Sequence, residues 1–437
     1  MNIAGKACLL LLLLVCACAS SRGPKEGLPP QWHAFRLNPE LNPVVARTDN
    51  IAVRWTYKTG NGISSSPTVS GNTLFVTSND HRLYAFDVRT GHVQWTFAAD
   101  NELMTAPLVV QDVVIVGEGD SYGTMFDPPN YLLVGKGPSG LLGVDARTGK
   151  ERWHWQVPGS AMPTGAVVHG VYEEHDAAGM LFALGAVDGK YKWRQYLRST
   201  ATMAAANNVR GNEVVTSGDY PNSVIAFDGA DGRILWRTRF PQAADSFAEC
   251  PQASDEHFIY GMYLGRPNDS PFFFVGYTTP GIEHAYALRS DTGKIVWDVP
   301  LARGIVPNAN AAAIPLVYRN SMYLGSAIVP QVFALDARSG KVRWRLNVAG
   351  PVKGGMVATA GRVFFGDLGG YLWSVDAQTG AVIGKKKMQD GFNVGSPIIV
   401  GQTLIIGSKT GYVFAVPLSA ITHLGSKANR DLRSDYY

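Results

Sequence analysis

The sequence predicts an all-β chain folded as an eight-bladed β-propeller of four-stranded antiparallel blades, closed by its own N-terminal strand. Three observations predict it. A short motif recurs along the chain, glycine-flanked β-rich runs separate its copies, and each end of the chain holds part of one incomplete copy. The motif first appears as AFDVRTGHVQW from Ala85 to Trp95. It returns as GVDARTGKERW ending at Trp153, ALGAVDGKYKW at Trp193, AFDGADGRILW at Trp236, ALRSDTGKIVW at Trp297 and ALDARSGKVRW at Trp344. A further copy, SVDAQTGAVIG, ends in Gly384 where the others have tryptophan, and VFAVP from Val413 to Pro417 begins another and stops. At the opposite end, VRW from Val53 to Trp55 is an ending without a beginning.

The two fragments complete each other if the first strand joins the last sheet. Such closure removes the free edges that would otherwise pair with other chains. Counted by the slots at Trp55, Trp95, Trp153, Trp193, Trp236, Trp297, Trp344 and Gly384, the repeat gives eight blades.

Each part of the motif has a local reason. Runs such as TLFVTS (Thr73–Ser78), FIYGMY (Phe258–Tyr263) and TLIIGS (Thr403–Ser408) have strand composition, and Gly71, Gly361 and Gly401 mark the turns before some of them. The Thr-Gly pair reads as the turn into the outermost strand, where glycine takes a positive φ. The aspartate before it accepts hydrogen bonds from that turn's backbone. The tryptophan is expected between neighbouring blades, burying roughly 150–250 Å2. The motif is therefore structural.

Composition bounds the rest. The chain has 437 residues, 48 glycines, 17% charged residues and a formal net charge of +4. No long basic run gives a nucleic-acid footprint. The basic C-terminal tail, 418–437, with Lys427, Arg430 and Arg433, reads as a solvated end. At the N-terminus a short basic start precedes CLLLLLLV, an apolar run of signal-peptide length. VCAC follows, and Cys18, preceded by Ala17, resembles the lipidated cysteine of a bacterial lipobox. The divisions expected are a lipoprotein signal peptide over 1–18, a flexible tether over 19–50 and the propeller over 51–417. Lipid sorting to the outer membrane follows from the resemblance, because Ala19 and not an aspartate comes next. After processing at Cys18 the chain keeps Cys250, either as a small buried residue or as a reactive thiol.

The recurring AFDVRTGHVQW resembles the tryptophan-docking repeat of the pyrroloquinoline-quinone (PQQ)-like propellers, over about Ile51 to Pro417. QWHAFRLNP (Gln31–Pro39) is similar to a segment that often precedes them. Quinoprotein dehydrogenases and the barrel-assembly lipoproteins of the BamB family share this repeat. The layout of GYLWSVDAQTG and KTGYVFAV is similar to the last blades of BamB. That resemblance implies a non-enzymatic scaffold, monomeric and lipid-anchored on the periplasmic side of the outer membrane, which binds protein partners such as the barrel-assembly machinery. The Leu-rich, Arg-containing loop with which BamB grips its partner has no counterpart; STATMAAANNVRG offers only Arg210.

An enzyme is the alternative. PQQ with calcium would need carboxylate and amide oxygens. The expected inner-strand starts, such as SSSPT, MTAPL and VGSPI, are small and poor in acids, Glu249 being the nearest candidate, and no adjacent cysteine pair occurs. No cofactor and no metal are therefore expected. Zinc and phosphate-loop signatures are absent. One blade breaks its pattern: VYEEHDAAG (Val171–Gly179) sets Glu173 and Glu174 where blade 1 has Phe75 and Val76. A buried carboxylate is costly unless paired or protonated, so Glu173, Glu174, His175 and Asp176 are a candidate metal or acid/base cluster. An exposed strand end is the other reading. Asp120, Asp127, Glu174 and Asp245 are the candidate acids of a hydrolase.

The longest tryptophan intervals, Trp95 to Trp153 and Trp236 to Trp297, hold two insertions between second and third strands, both on the face where the chain enters the inner strands. Their aromatics, Tyr122, Phe126, Tyr131, Phe272, Phe273, Phe274 and Tyr277, are a candidate binding face. Packing within the loops is the alternative.

Overall fold

The computed structural model describes residues 43–45, 51–120, 124–127, 130–133, 135–201, 206–219, 221–243, 247, 250–265, 280–305 and 313–421. Eight sheets follow one another in chain order. Blade 1 shows the common plan: Thr68–Ser70 innermost, then Thr73–Ser78, Arg82–Asp87 and, outermost, Val93–Ala98, all antiparallel. Blades 2 to 7 end in outer strands Glu151–Gln156, Tyr191–Tyr196, Ile234–Arg239, Ile295–Ile305, Val342–Asn347 and Val382–Lys387. Blade 8 takes three strands from the C-terminal end, Ile398–Val400, Thr403–Gly407 and Tyr412–Pro417. Its fourth is Trp55–Lys58, with Trp55 opposite Ala415 and Lys58 opposite Tyr412. The ring closes as the two chain fragments require.

Tryptophan docking follows a strict relay. Each ring lies on the turn glycine of the next blade. A Cβ added to Gly91 would fall 2.5 Å from the Trp55 ring, and one on Gly149 would fall 2.6 Å from Trp95. The same holds for Gly189 with Trp153, Gly232 with Trp193, Gly293 with Trp236, Gly340 with Trp297 and Gly380 with Trp344. Gly91 has φ +72°, so it supplies both the left-handed turn and the flat floor. Asp87 holds that turn, accepting from the Arg89 and Thr90 amides at 3.0 and 2.9 Å. The indole Nε1 of Trp55 donates to the Val88 carbonyl at 3.0 Å.

The relay also accounts for Gly384. Blade 7 should dock on blade 8, but the outer strand of blade 8 comes from the N-terminus, so that sheet has no turn from its third to its outer strand to receive a ring.

Close contact at the axis needs small residues. A Cβ on Gly354 of blade 7 would meet the Gly395 carbonyl at 2.5 Å, and one on Gly395 would meet that of Ser65 at 2.5 Å. Ser396 N donates to Ser66 Oγ at 2.7 Å, joining blades 8 and 1 where the ring closes.

Two short stretches lie outside the expected propeller bounds. Val44–Val45, within the span read as tether, runs parallel to the inner strand of blade 7, Val357–Thr359. Leu418–Ala420 forms a 3-10 turn, and Leu418 and Ile421 join the core of blades 7, 8 and 1. The cysteine is buried: Cys250 is 2% exposed, with its sulfur 3.1 Å from Met262 Sδ.

Gly91→Ala will destabilise the protein by about 2 kcal/mol more than Gly71→Ala, because both have positive φ but only Gly91 carries a ring. Urea unfolding midpoints check this.

Candidate functional site

The second strand of blade 3, Val171–His175, pairs Glu173 with Ala166 and Ala183. In blade 1 Phe75 occupies the same place, between Thr68 and Ala85. Glu173, Glu174, His175 and Asp176 are each at most 1% exposed, so the acid-rich stretch is interior. Because alternate strand residues point to opposite faces, its members separate.

Glu173 and His175 face blade 4. A Cβ on Gly229 of that blade would come within 2.9 Å of Glu173 Oε1. Neither carboxyl oxygen of Glu173 has a hydrogen-bond partner. Burial, reinforced by the charge of Asp228, pushes its pKa up to about 8. His175 pairs its Nε2 with the Ser199 carbonyl. Burial lowers its pKa to about 4 and keeps the ring neutral.

Tyr172 faces blade 2, in a cluster with Leu108, Ile115, Leu141 and Trp153. Its hydroxyl donates to Glu174 Oε2 on the same face. Glu174 Oε1 has no partner, and burial raises this acid to about 8.

Asp176 belongs to a turn. It accepts from the amides of Gly159, Ala178 and Met180 at 3.0, 2.9 and 2.8 Å. Asp367 serves blade 7 in the same way, accepting from Ala349 and Tyr371. Burial holds Asp176 up at about 6. The four residues are thus two acids on opposite faces, a neutral imidazole and a turn acid. Among the described residues no three His, Cys, Asp or Glu side chains are grouped to hold a metal ion.

The other candidates fall as follows. Asp120 is 4% exposed and accepts from Asn101 Nδ2 at 2.8 Å and from the Lys136 and Gly137 amides at 3.0 Å each, pinning the base of the blade 2 insertion. Within that insertion Thr124–Asp127 and Asn130–Leu133 form a hairpin with Phe126 opposite Tyr131. Tyr122, Asp245, Glu249, Phe272, Phe273, Phe274 and Tyr277 lie outside the described residues. Both insertions join second to third strands, which puts their roots on one face.

Sequence reasoning passed over a more accessible group in blade 5. His284 on the third strand donates Nδ1–H to Asp298 Oδ1 at 2.9 Å. Tyr263 on the second strand donates to Asp298 Oδ2 at 2.6 Å and stacks on the imidazole with ring centroids 4.8 Å apart. Gln242 Nε2 bonds both Tyr263 and Asp298, at 3.0 and 3.1 Å. The His284 and Asp298 side chains are 21% and 19% exposed. An acid on Nδ1 orients the ring and leaves Nε2 as the basic nitrogen. A Cβ on Gly265 would stand 3.2 Å from that Nε2, so the glycine keeps space before it. One signal was available. The residue after the docking tryptophan is Thr56, Thr96, His154, Arg194, Arg237 or Arg345 in other blades, Lys385 follows Gly384 in blade 7, and the position is acidic at Asp298.

The fold and these seams define a closed eight-bladed propeller of the PQQ-like repeat type. A family model described as "Outer membrane protein assembly factor BamB" matches residues 44–167, 139–256 and 283–420, and the chain belongs to that family. The chain is 24% identical over 413 residues to a tetrathionate hydrolase of Acidithiobacillus ferrooxidans, covering 90% of this chain and 80% of that protein. It is 22% identical over 419 residues to outer membrane protein assembly factor BamB of Burkholderia pseudomallei, covering 93% and 96%. The crystal structure of BamB from Moraxella catarrhalis superposes with a TM-score of 0.62 at 13% identity, over 85% of this chain and all of that one.

Two outcomes follow. A folded-state acid whose pKa is raised keeps a proton that the unfolded chain releases, so its contribution is lost as pH rises from the ordinary carboxylate value toward about 8. The urea midpoint should fall over that window, and Glu173→Gln should flatten the fall. His175 acts oppositely, costing stability as pH drops from 6.5 through about 4. Asp176→Ala, which strands three backbone amides, should cost roughly 2–4 kcal/mol, and Asp176→Asn less, by the same unfolding measurement.

Proposed function

We propose that this chain is a non-enzymatic scaffold, anchored through Cys18 on the periplasmic side of the outer membrane, that binds protein partners during outer-membrane protein assembly. One observation carries the reading: the acids that break the blade 3 pattern are sealed between blades at 1% exposure or less, where no substrate reaches them. The family match and the coverage of the Burkholderia pseudomallei relative support it. In this reading the propeller works without PQQ or calcium, and its insertion-bearing face offers a protein-binding surface.

A hydrolase is the second reading. It is favoured by the partly exposed His284–Asp298 pair, which has the arrangement of a general base, and by the similarity to a tetrathionate hydrolase.

Affinity purification of the full chain from detergent-extracted membranes decides between them. The scaffold reading expects barrel-assembly components to co-purify, undiminished in His284→Ala, and Cys18→Ser to move the protein to the soluble fraction. Turnover of tetrathionate by the purified chain, abolished in His284→Ala, would sink it, as would a quinone absorption band that survives dialysis.

A further inference from the structure

The outer strand of blade 4, Ile234–Arg239, ends on the insertion face with two arginines on one side. Trp236 and Thr238 point to blade 5, the ring against Gly293 and the hydroxyl donating to the Gly293 carbonyl at 2.6 Å. Side chains alternate along a strand, so Arg237 and Arg239 point to blade 3, from backbone positions about 7 Å apart. Arg237 reaches across that seam and donates Nη2–H to the Leu197 carbonyl.

The next residue, Arg198, stands in the connection that leaves blade 3 and has φ +52°. A side-chain-bearing residue keeps that conformation where its surroundings impose it. Here they do. Ser199 Oγ donates to the Asp219 carbonyl of blade 4 at 3.0 Å, and Thr200 and Asp219 exchange backbone hydrogen bonds at 2.9 and 2.8 Å. Arg198 is thereby held at the same seam. Burial, then the charges of Arg239 and Arg198, hold Arg237 below its ordinary pKa.

Other blades answer the cation that occupies the Arg237 step. His154 of blade 2 lies 3.1 Å from Glu118. Arg345 of blade 6 lies over the Phe333 ring at 5.6 Å, and Lys385 of blade 7 over Tyr371 and Trp373 at 5.2 and 5.3 Å. In blade 4 the place of Glu118 is taken by Gly218, because Leu142 pairs Val116 with His154 as Ile225 pairs Thr216 with Arg237. A Cβ on Gly218 would fall 2.1 Å from Ser199 Oγ, so no acid can stand there. Among the described residues no carboxylate forms an ion pair with Arg198, Arg237 or Arg239.

We propose that Arg198, Arg237 and Arg239 form a binding site for an oxyanion of the phosphate or sulfate class, on the insertion face of the seam between blades 3 and 4. Guanidinium forks pair with such oxygens two at a time. A carboxylate has two oxygens and satisfies one fork, whereas a phosphate group has enough for several. A free anion and a phospholipid head group share this chemistry. The site is separate from His284 and Asp298, which lie in the seam between blades 4 and 5, and it stands whether the propeller is a scaffold or a hydrolase.

Isothermal titration of the purified full chain with inorganic phosphate and with sulfate, at an ionic strength fixed with chloride, tests the site. Saturable binding of a single ion is expected. Arg239→Gln, at an exposed position, should weaken it at least about tenfold, and adding Arg237→Gln should abolish it. An unchanged urea midpoint for Arg239→Gln in chloride alone separates lost binding from lost fold. Sedimentation of the Cys18→Ser chain with phosphatidylcholine vesicles, with and without phosphatidylglycerol, identifies the source of the anion. Sedimentation that needs phosphatidylglycerol and is lost in Arg239→Gln assigns a head group, and phosphate binding without sedimentation assigns a free anion. Absence of both, or a response that Arg239→Gln leaves unchanged, overturns the proposal.

Discussion

The molecule depends on one repeated contact, a tryptophan laid flat on the turn glycine of the next blade. The rings of Trp153 and Trp297 are buried and contribute roughly 4 kcal/mol each by area, the half-buried rings less, and the contact fixes the spacing of adjacent sheets. The contact couples each blade to the next at every seam except that between blades 7 and 8. Glycine is required because its position serves two purposes, the positive φ of the turn and the absence of a Cβ beneath the ring. Where the relay is interrupted, at Gly384, backbone pairing of Trp55–Lys58 with Tyr412–Pro417 holds blade 8 instead.

Against that rigid frame the buried carboxylates stand out. Glu173 lies in a slot that suits a phenylalanine, faces the acid of Asp228 and has no donor within reach. Glu283 in blade 5 is similar: fully buried, with one oxygen accepting from Ala327 N at 3.2 Å, the other unpartnered, and a pKa raised to about 7. Protonation is the inexpensive state for both, since a bare charge between two sheets would cost far more than a neutral carboxyl. The seams between blades 3 and 4 and between blades 5 and 6 are thereby sensitive to pH in a way that the apolar seams are not. His284 differs in kind. Its partner is a carboxylate, its ring reaches solvent, and it stands at the root of an insertion. If this propeller carries chemistry, that is where the described side chains place it.

Much of this was legible beforehand. The blade count, the turn aspartates such as Asp87, the place of the tryptophans between blades and the closure by Trp55 all came from a local pattern read many times over. The candidate site was less legible. Alternation along Val171–His175 predicts that one glutamate is buried, but not that both are, nor that Asp176 leaves the strand to hold a turn. The Tyr263–His284–Asp298 group was invisible except for the acid after Trp297, because its members come from three strands with unrelated sequence spacing.

The sequence by itself determined the repeat, the number of sheets and the way the ends join, because those rest on short-range turn chemistry and a period that each copy restates. Only the tertiary structure decided which acids lie between sheets without donors, that His284 meets Asp298, and that Val44–Val45 enters the ring beside Ala358. Those facts depend on what stands across a seam or at the axis, and a residue's neighbour in another blade is not written in its own stretch of chain.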